Sequence, residues 1–210
     1  METNWAAENL QTIRTLMERS ALYRRALAPI MIFNGTIGIG GSLVGWQMRV
    51  DSVLGFVCLW AGIAMVALIG SFMLVRRQAL KDSEAFWSPP TRQVAYALTP
   101  AFFIGLFVGV LFALKFADNN NDPSIGTTLT ITWALLYGCA LHSAGAFMPR
   151  GIRRLSWLFV GVGCVLLVYL FGRDGELMAP PHLLMGGTFG GLHLAAGIYL
   201  YFTEKRRNES

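Results

Sequence analysis

Long apolar stretches alternate with short polar connections along the chain. Six stretches are almost free of charged residues, and they cover residues 26–46, 53–75, 94–116, 126–148, 155–172 and 180–202. A helix needs about 20 apolar residues to cross the roughly 30 Å of hydrocarbon in a bilayer. The pattern therefore predicts an all-α fold: one bundle of six transmembrane helices over residues 26–202, followed by a short tail at 203–210.

The segment before the first apolar stretch has a different pattern. Within residues 1–25, Leu10, Ile13 and Met17 fall on one face of a helix, and Arg14 and Arg25 fall on another. Such a helix, placed directly before a membrane span, is typical of a segment that lies in the interface with its basic side toward the headgroups. We therefore expect an amphipathic interfacial helix here, although docking to a soluble partner would use the same pattern.

Basic residues are sorted by the apolar stretches. Fourteen of the 17 Lys and Arg residues lie in the N-terminal arm, the second and fourth connections and the tail. The other three are Arg49, Lys115 and Arg173. Because cytoplasmic segments are the ones enriched in Lys and Arg, both termini are predicted to lie in the cytoplasm.

Composition narrows the class of protein further. The chain is 54% hydrophobic and only 14% charged, and six spans leave no room for a separate soluble domain. The net charge of +5 is accounted for by bases beside helix ends, where they meet anionic headgroups, so a nucleic-acid partner is not expected. The lipid bilayer is the expected environment, and a multi-pass protein of a bacterial inner membrane is the default localisation.

Glycine is frequent in the first and last spans. The last span contains two overlapping steps of four, Gly186–Gly190 and Gly187–Gly191, and the first has a similar series from Gly35 to Gly45. Small residues at this spacing let helix backbones approach closely in lipid. The two helices are therefore predicted to be tightly packed central elements, or else contacts to a second copy or to a partner membrane subunit.

One internal similarity suggests a transporter-like repeat. The spacing of a proline and two glycines in the third span recurs in the sixth, in Pro100, Gly105, Gly109 and Pro181, Gly186, Gly190. Two helices of opposite direction would be related in this way by an inverted repeat. Prolines in first turns and glycines four apart are also ordinary in membrane helices, and we favour that simpler interpretation.

Three polar side chains are expected at one depth of the bundle. Measured from the predicted cytoplasmic ends at about 1.5 Å per residue, Asn34, His142 and His193 lie about 12, 9 and 14 Å deep. Cys139 precedes His142 by three positions and shares its helix face. The same spans carry no Asp, Glu, Lys or Arg near their centres, which disfavours a carrier built on buried carboxylates.

This polar level has three interpretations. The favoured one is that each side chain forms a structural hydrogen bond between helices. Asn34, His142 and His193 could instead line the path of a small molecule or ion. His142 and His193, with Cys139 as a soft ligand, could also hold a b-type haem or a transition metal, although no cofactor is expected by default.

Signatures of enzymes are absent from the sequence. It contains no GxSxG, HExxH or P-loop motif and no paired carboxylates. The tight basic turn before the fifth span, with Arg150, Arg153 and Arg154, is a candidate site for lipid headgroups, and such turns also serve as simple orientation signals. The leading functional hypothesis is a non-enzymatic scaffold, regulatory or accessory subunit. The alternatives are a small carrier or channel and a haem- or metal-binding redox protein.

Overall fold

The computed structural model describes residues 26–83, 85–117, 122–172 and 179–208. This part of the chain is helical and has no β-strand, which confirms the all-α prediction. Six of its helices are long and apolar enough to cross a membrane, in agreement with a multi-pass membrane protein. The amphipathic helix expected within residues 1–25 lies outside the described residues.

The six helices follow the predicted order. We number them α1 (Ala26–Gln47), α2 (Val53–Lys81), α3 (Pro89–Lys115), α4 (Pro123–Ala144), α5 (Arg150–Gly172) and α6. Helix α6 has three parts: an α-helical turn Pro181–Met185, a π-helical segment Gly186–Gly191 and an α-helical segment Leu192–Asn208. A π segment carries one extra residue in a helix, and the pattern of apolar positions did not predict it.

Local signals set the helix ends, and several of these ends differ from the predicted boundaries by three to six residues. Asp122 caps α4 by accepting a hydrogen bond from the backbone N–H of Ser124 at 2.9 Å, and Pro123 fills the first turn. Helix α4 therefore begins three residues before the predicted span, and it ends at Ala144 because the apolar residues that follow form a turn. Pro89 begins α3, because a proline in the first helical turn lacks only an N–H that would have no partner there, and α2 ends earlier, at Lys81.

Two apolar clusters show that consecutive helices run in opposite directions. One cluster joins the start of α1 and α5 to the end of α4 and α6, through Leu27, Ile152, Leu141 and Leu200. We call this the Arg153 end of the bundle. The other cluster joins the start of α2, α4 and α6 to the end of α3, through Phe56, Ile125, Met185 and Ala113. We call it the Asp51 end, after the residue between α1 and α2.

The less apolar helices form the centre of the bundle. Helices α1, α4 and α6 are the least apolar of the six spans and also the most buried, whereas α2, α3 and α5 are more apolar and more exposed. In lipid the outer surface must be apolar, and small or polar side chains can be accommodated where helices face one another. The arrangement is therefore the one that a bilayer favours.

Glycines allow α1 and α6 to touch through their backbones. A Cβ atom added to Gly38 would lie 2.8 Å from the Cα of Gly190, and one added to Gly35 would lie 2.8 Å from the Cα of Leu194. Gly186 faces the side chain of Ser42 in the same contact. The Gly186–Gly190 step therefore packs against α1 of the same chain. Of the two alternatives for the glycines, packing within the bundle holds for this face of α6.

The glycines of α3 have a different use. Gly105 and Gly109 make room for the ring of Trp133, whose indole N–H donates to the carbonyl oxygen of Gly105 at 2.9 Å. Pro100 lies in the interior of α3, whereas Pro181 starts α6. The similar spacing in α3 and α6 therefore serves dissimilar contacts, as the simpler interpretation expects.

Candidate functional site

The centre of the bundle holds a hydrogen-bonded pair of His193 and Tyr137. His193 is only 4% exposed, and its Nδ1 lies 2.6 Å from the carbonyl oxygen of Phe189. Because a carbonyl oxygen only accepts, Nδ1 carries the hydrogen, and Nε2 of the neutral ring is an acceptor. The hydroxyl of Tyr137, at 2.8 Å, therefore donates to Nε2. Both ring nitrogens of His193 are used, and the pair joins α4 to α6.

Aromatic rings surround this pair. The ring centroid of His193 lies 5.3 Å from that of Tyr137 and 5.4 Å from that of Phe159. Phe189 contacts both Phe159 and Tyr137, and it packs against the apolar clusters of both ends. Since Phe189 belongs to the π segment, the extra residue of α6 lies beside the hydrogen-bonded pair of Tyr137 and His193. π segments often occur at functional sites.

Asn34 has a partner on a different helix. Its side-chain oxygen accepts a hydrogen bond from the hydroxyl of Ser71 at 3.2 Å, which joins α1 to α2. Asn34 lies eight residues after Ala26 and His193 ten residues before Thr203, so both are about 12–15 Å from the ends of their candidate membrane spans at the Arg153 side. The predicted common depth therefore holds for these two residues.

His142 lies nearer the surface than the predicted span implied. Because α4 ends at Ala144, His142 is about 3 Å from the helix end and not about 9 Å. Its ring is exposed, packs edge-on against Trp157 and has Nδ1 at 3.4 Å from the hydroxyl oxygen of Ser156. Cys139 is also exposed, in common with the other two cysteines. His142 thus belongs to the bundle surface.

The three polar residues are not brought together. Among the described residues, no hydrogen bond or ring contact joins Asn34, His142 and His193 to one another. No group of three or more His, Cys, Asp or Glu side chains in this part of the chain is arranged to hold a metal ion. A metal or haem iron at His193 would have to displace Tyr137 from Nε2, so the observed geometry fits an interhelical hydrogen bond better.

The sequence pattern does not predict the partners that complete these pairs. It does not distinguish Tyr137, because a tyrosine in a membrane span is ordinary. His182, in the first turn of α6, is only 5% exposed. Its Nδ1 accepts from the indole N–H of Trp60 at 3.1 Å, and its Nε2 donates to the carbonyl oxygen of Val50 at 2.9 Å. A Trp or Tyr in the middle of a span is the sequence signal for such a pair, because its polar atom needs a hydrogen-bond partner in lipid.

A cleft opens at the Asp51 end of the bundle. Its volume is about 260 Å³, and its wall includes Trp46, Asp51, Phe56, Asp122 and His182. Hydrogen bonds from Ser124 hold the pKa of Asp122 below its usual range, so this carboxylate is ionised at neutral pH. The cleft therefore combines negative charge with aromatic surface, which suits a small cation better than an anion.

The opposite end carries exposed arginines. Arg150 is the first residue of α5, and Arg153 and Arg154 follow in its first turns. Nη1 of Arg154 donates to the hydroxyl oxygen of Tyr199 at 3.0 Å. Nη2 of Arg153 lies 3.5 Å from the carbonyl oxygen of Gly145. These contacts tie α5 to the ends of α6 and α4 and hold two cations in place at the surface.

The second glycine face of α6 points away from the bundle. A Cβ added to Gly187 would meet nothing within 4 Å, and one added to Gly191 would meet only the carbonyl oxygen of Gly186 on the same helix, at 3.8 Å. Ala195 continues the series and is exposed. We call Gly187, Gly191 and Ala195 the outer small-residue stripe of α6.

Comparison of the chain with known protein families, with curated proteins and with solved structures finds no match.

Proposed function

We propose that this protein is a non-catalytic membrane component, a scaffold, regulatory or accessory subunit, that works by binding another transmembrane helix. Its place is a bacterial inner membrane, with both termini in the cytoplasm and residues 1–25 along the inner surface. The charge sorting and the amphipathic pattern support that placement. The observation that carries the functional proposal is the outer small-residue stripe of α6.

The stripe offers what a helix–helix contact in lipid requires. Bilayers supply little hydrophobic force between helices, so association depends on close backbone approach at small residues. The neighbouring Gly186–Gly190 face shows how this chain uses such a surface, because it brings the backbone of α1 into contact. The outer stripe has the same four-residue spacing and no neighbour within the described part of the chain. A helix from a second copy or from a partner subunit fits it.

The interior polar residues support a structural role for the rest of the bundle. Asn34, His182 and His193 each form hydrogen bonds that join parts of the chain, and both ring nitrogens of each of these two histidines are used. Each bond is worth on the order of 1 kcal/mol in lipid. Hydrogen bonds of this kind keep the helices in fixed relative positions, and a subunit that binds another helix needs such a fixed surface.

A pair of matched glycine substitutions tests the proposal. Gly187 and Gly62 are both exposed, and a Cβ at either position meets nothing within 4 Å. Native gel electrophoresis of membranes in a mild detergent should show one complex larger than the monomer. We expect Gly187→Leu to abolish this complex and Gly62→Leu to retain it. A complex that tolerates both substitutions, or a wild-type protein that migrates as a monomer, would contradict the proposal.

A carrier or receptor for a small organic cation is the second candidate, and the cleft at the Asp51 end favours it. Asp51 and Asp122 would supply negative charge and Trp46 an aromatic face. Tetramethylammonium should then raise the melting temperature of the purified protein, and the double variant Asp51→Asn, Asp122→Asn should remove this effect. No shift at millimolar concentrations would eliminate this candidate.

A further inference from the structure

Two arginines at the Arg153 end have no acidic partner among the described residues. Arg153 and Arg154 are both exposed, and within the described part of the chain their guanidinium groups contact only neutral oxygens, of Gly145 and Tyr199. A guanidinium group has five N–H donors, so most donors of each arginine are still available. Each side chain therefore presents a positive charge, held by its own hydrogen bond, that can accept an anion.

The face of α5 that carries Arg153 is apolar in the next two helical turns. Trp157 lies one turn beyond Arg153 and is 63% exposed, and Gly161 lies one turn further on the same face. A Cβ added to Gly161 would meet nothing within 4 Å. The missing side chain leaves a gap directly beyond the indole ring, on the face of α5 that also carries the exposed side chains of Leu158 and Val165. We call this gap the groove at Gly161. A cation, an interfacial aromatic ring and an apolar groove thus follow one another along one line.

His142 adds a hydrogen-bond acceptor beside this line. The hydroxyl of Ser156 donates to the carbonyl oxygen of Arg153 at 2.7 Å, so its oxygen must accept from Nδ1–H of His142, 3.4 Å away. Nε2 of the neutral ring is then an acceptor, and no described residue bonds to it. The ring packs edge-on against Trp157, with centroids 5.4 Å apart. A hydroxylated headgroup would find a partner at this nitrogen.

We propose that this face of α5 binds an anionic phospholipid with a hydroxylated headgroup. The phosphate lies between Arg153 and Arg154, the headgroup hydroxyl reaches His142, and one acyl chain follows Trp157 into the groove at Gly161. Guanidinium groups are well suited to phosphate because they donate two parallel hydrogen bonds. The proposal is independent of the helix-binding function, since it concerns α5 and not the outer stripe of α6.

Native mass spectrometry of the purified protein with added phosphatidylglycerol tests the site. The control is another adjacent pair of exposed arginines at the same end, Arg76 and Arg77 of α2. We expect the variant Arg153→Ala, Arg154→Ala to lower the affinity for phosphatidylglycerol about 30-fold, because two interfacial cations are lost. The variant Arg76→Ala, Arg77→Ala should change it less than about threefold. Equal losses in both variants would overturn the proposal.

A second variant separates a bound lipid from a bound phosphate ion and leaves the arginines in place. Gly161→Leu fills the groove at an exposed position, so folding should be unaffected. We expect it to weaken phosphatidylglycerol binding about tenfold, the equivalent of two displaced methylene groups. Inorganic phosphate at millimolar concentration should not displace the lipid. Displacement by phosphate, or equally tight binding of phosphatidylcholine, would show that no phospholipid site of this kind exists.

Discussion

At the scale of single residues, many polar atoms inside the described spans have hydrogen-bond partners within the chain. The threonines of α4 donate to carbonyl oxygens four residues earlier on their own helix, in Thr127, Thr128, Thr130 and Thr132. Larger polar groups reach other helices, as His193 does through Tyr137. An unpaired polar group in hydrocarbon costs several kcal/mol, so this pairing is a condition of folding in a membrane.

A double-mutant cycle should show that Tyr137 and His193 act as one unit. We expect Tyr137→Phe and His193→Leu each to lower the free energy of unfolding, and the double variant to lose less than the sum. The coupling should be about 0.6–1.7 kcal/mol, the range of interhelical hydrogen bonds in membranes. Reversible unfolding in mixed micelles measures it. Strictly additive losses would mean that the hydrogen bond does not form.

The backbone conformation of Arg49 allows a second prediction for a single residue. Its φ of 50° places it in the left-handed region, where it closes α1 through a bond from the N–H of Val50 to the carbonyl oxygen of Gly45. Glycine adopts this conformation without the roughly 1–2 kcal/mol that other residues lose. Arg49→Gly should therefore be about 1 kcal/mol more stable than Arg49→Ala, which loses the same charge. Equal melting temperatures for the two variants would refute this.

At the scale of elements, the contact between α1 and α6 determines the centre of the bundle. The two backbones meet at Gly38 and Gly190, beside the π segment and the His193–Tyr137 pair. Any side chain at Gly38 would push the helices apart. The position of the buried polar pair therefore depends on a contact that contains almost no side-chain atoms.

Two alanine substitutions on α1 test this contact. Gly38→Ala should destabilise the protein by about 1–3 kcal/mol, because its Cβ would lie 2.8 Å from a backbone atom that cannot move away alone. Gly40→Ala, two residues along the same helix, meets nothing within 4 Å and should be neutral or up to about 1 kcal/mol stabilising. Chemical unfolding of the two variants measures the difference. The reverse order of stability would mean that α1 and α6 do not touch here.

The sequence predicts elements better than it predicts contacts between them. Length and apolarity suffice to find six spans, since both follow from the thickness of a bilayer. The end of α4 was misplaced because Phe147 is apolar but lies in a turn. The pairing of Tyr137 with His193 could not be predicted, because it depends on how far α6 is rotated, and the π segment changes that rotation.

At the scale of the whole molecule, charge and apolarity are arranged along different directions. Basic residues differ between the two ends, whereas apolarity increases from the central helices to the outer ones. A difference of the first kind is the signal that orients membrane proteins, and a difference of the second kind separates helices that face lipid from helices that face one another. A surface glycine stripe on α6, a central helix, is then an exception that calls for a partner.

Cysteine labelling tests the orientation. In a variant without the three native cysteines, we expect Asn120→Cys to react with a membrane-impermeant maleimide from outside intact cells. Ser83→Cys, in the connection at the opposite end, should react only after the cells are opened. The reverse pattern would place the termini outside and refute the charge-based topology.

The outer small-residue stripe of α6 is proposed to contact another transmembrane helix, and photo-crosslinking in native membranes tests this contact. The photoreactive benzoylphenylalanine replaces Ile198, an exposed residue on the same helix face as Gly191 and Ala195, so the small residues of the stripe stay intact. The control position is Ile69, an equally exposed residue of α2. We predict a discrete crosslinked protein product from position 198 and none from position 69. Products of equal yield from both positions, or only lipid adducts from position 198, would contradict the proposed contact.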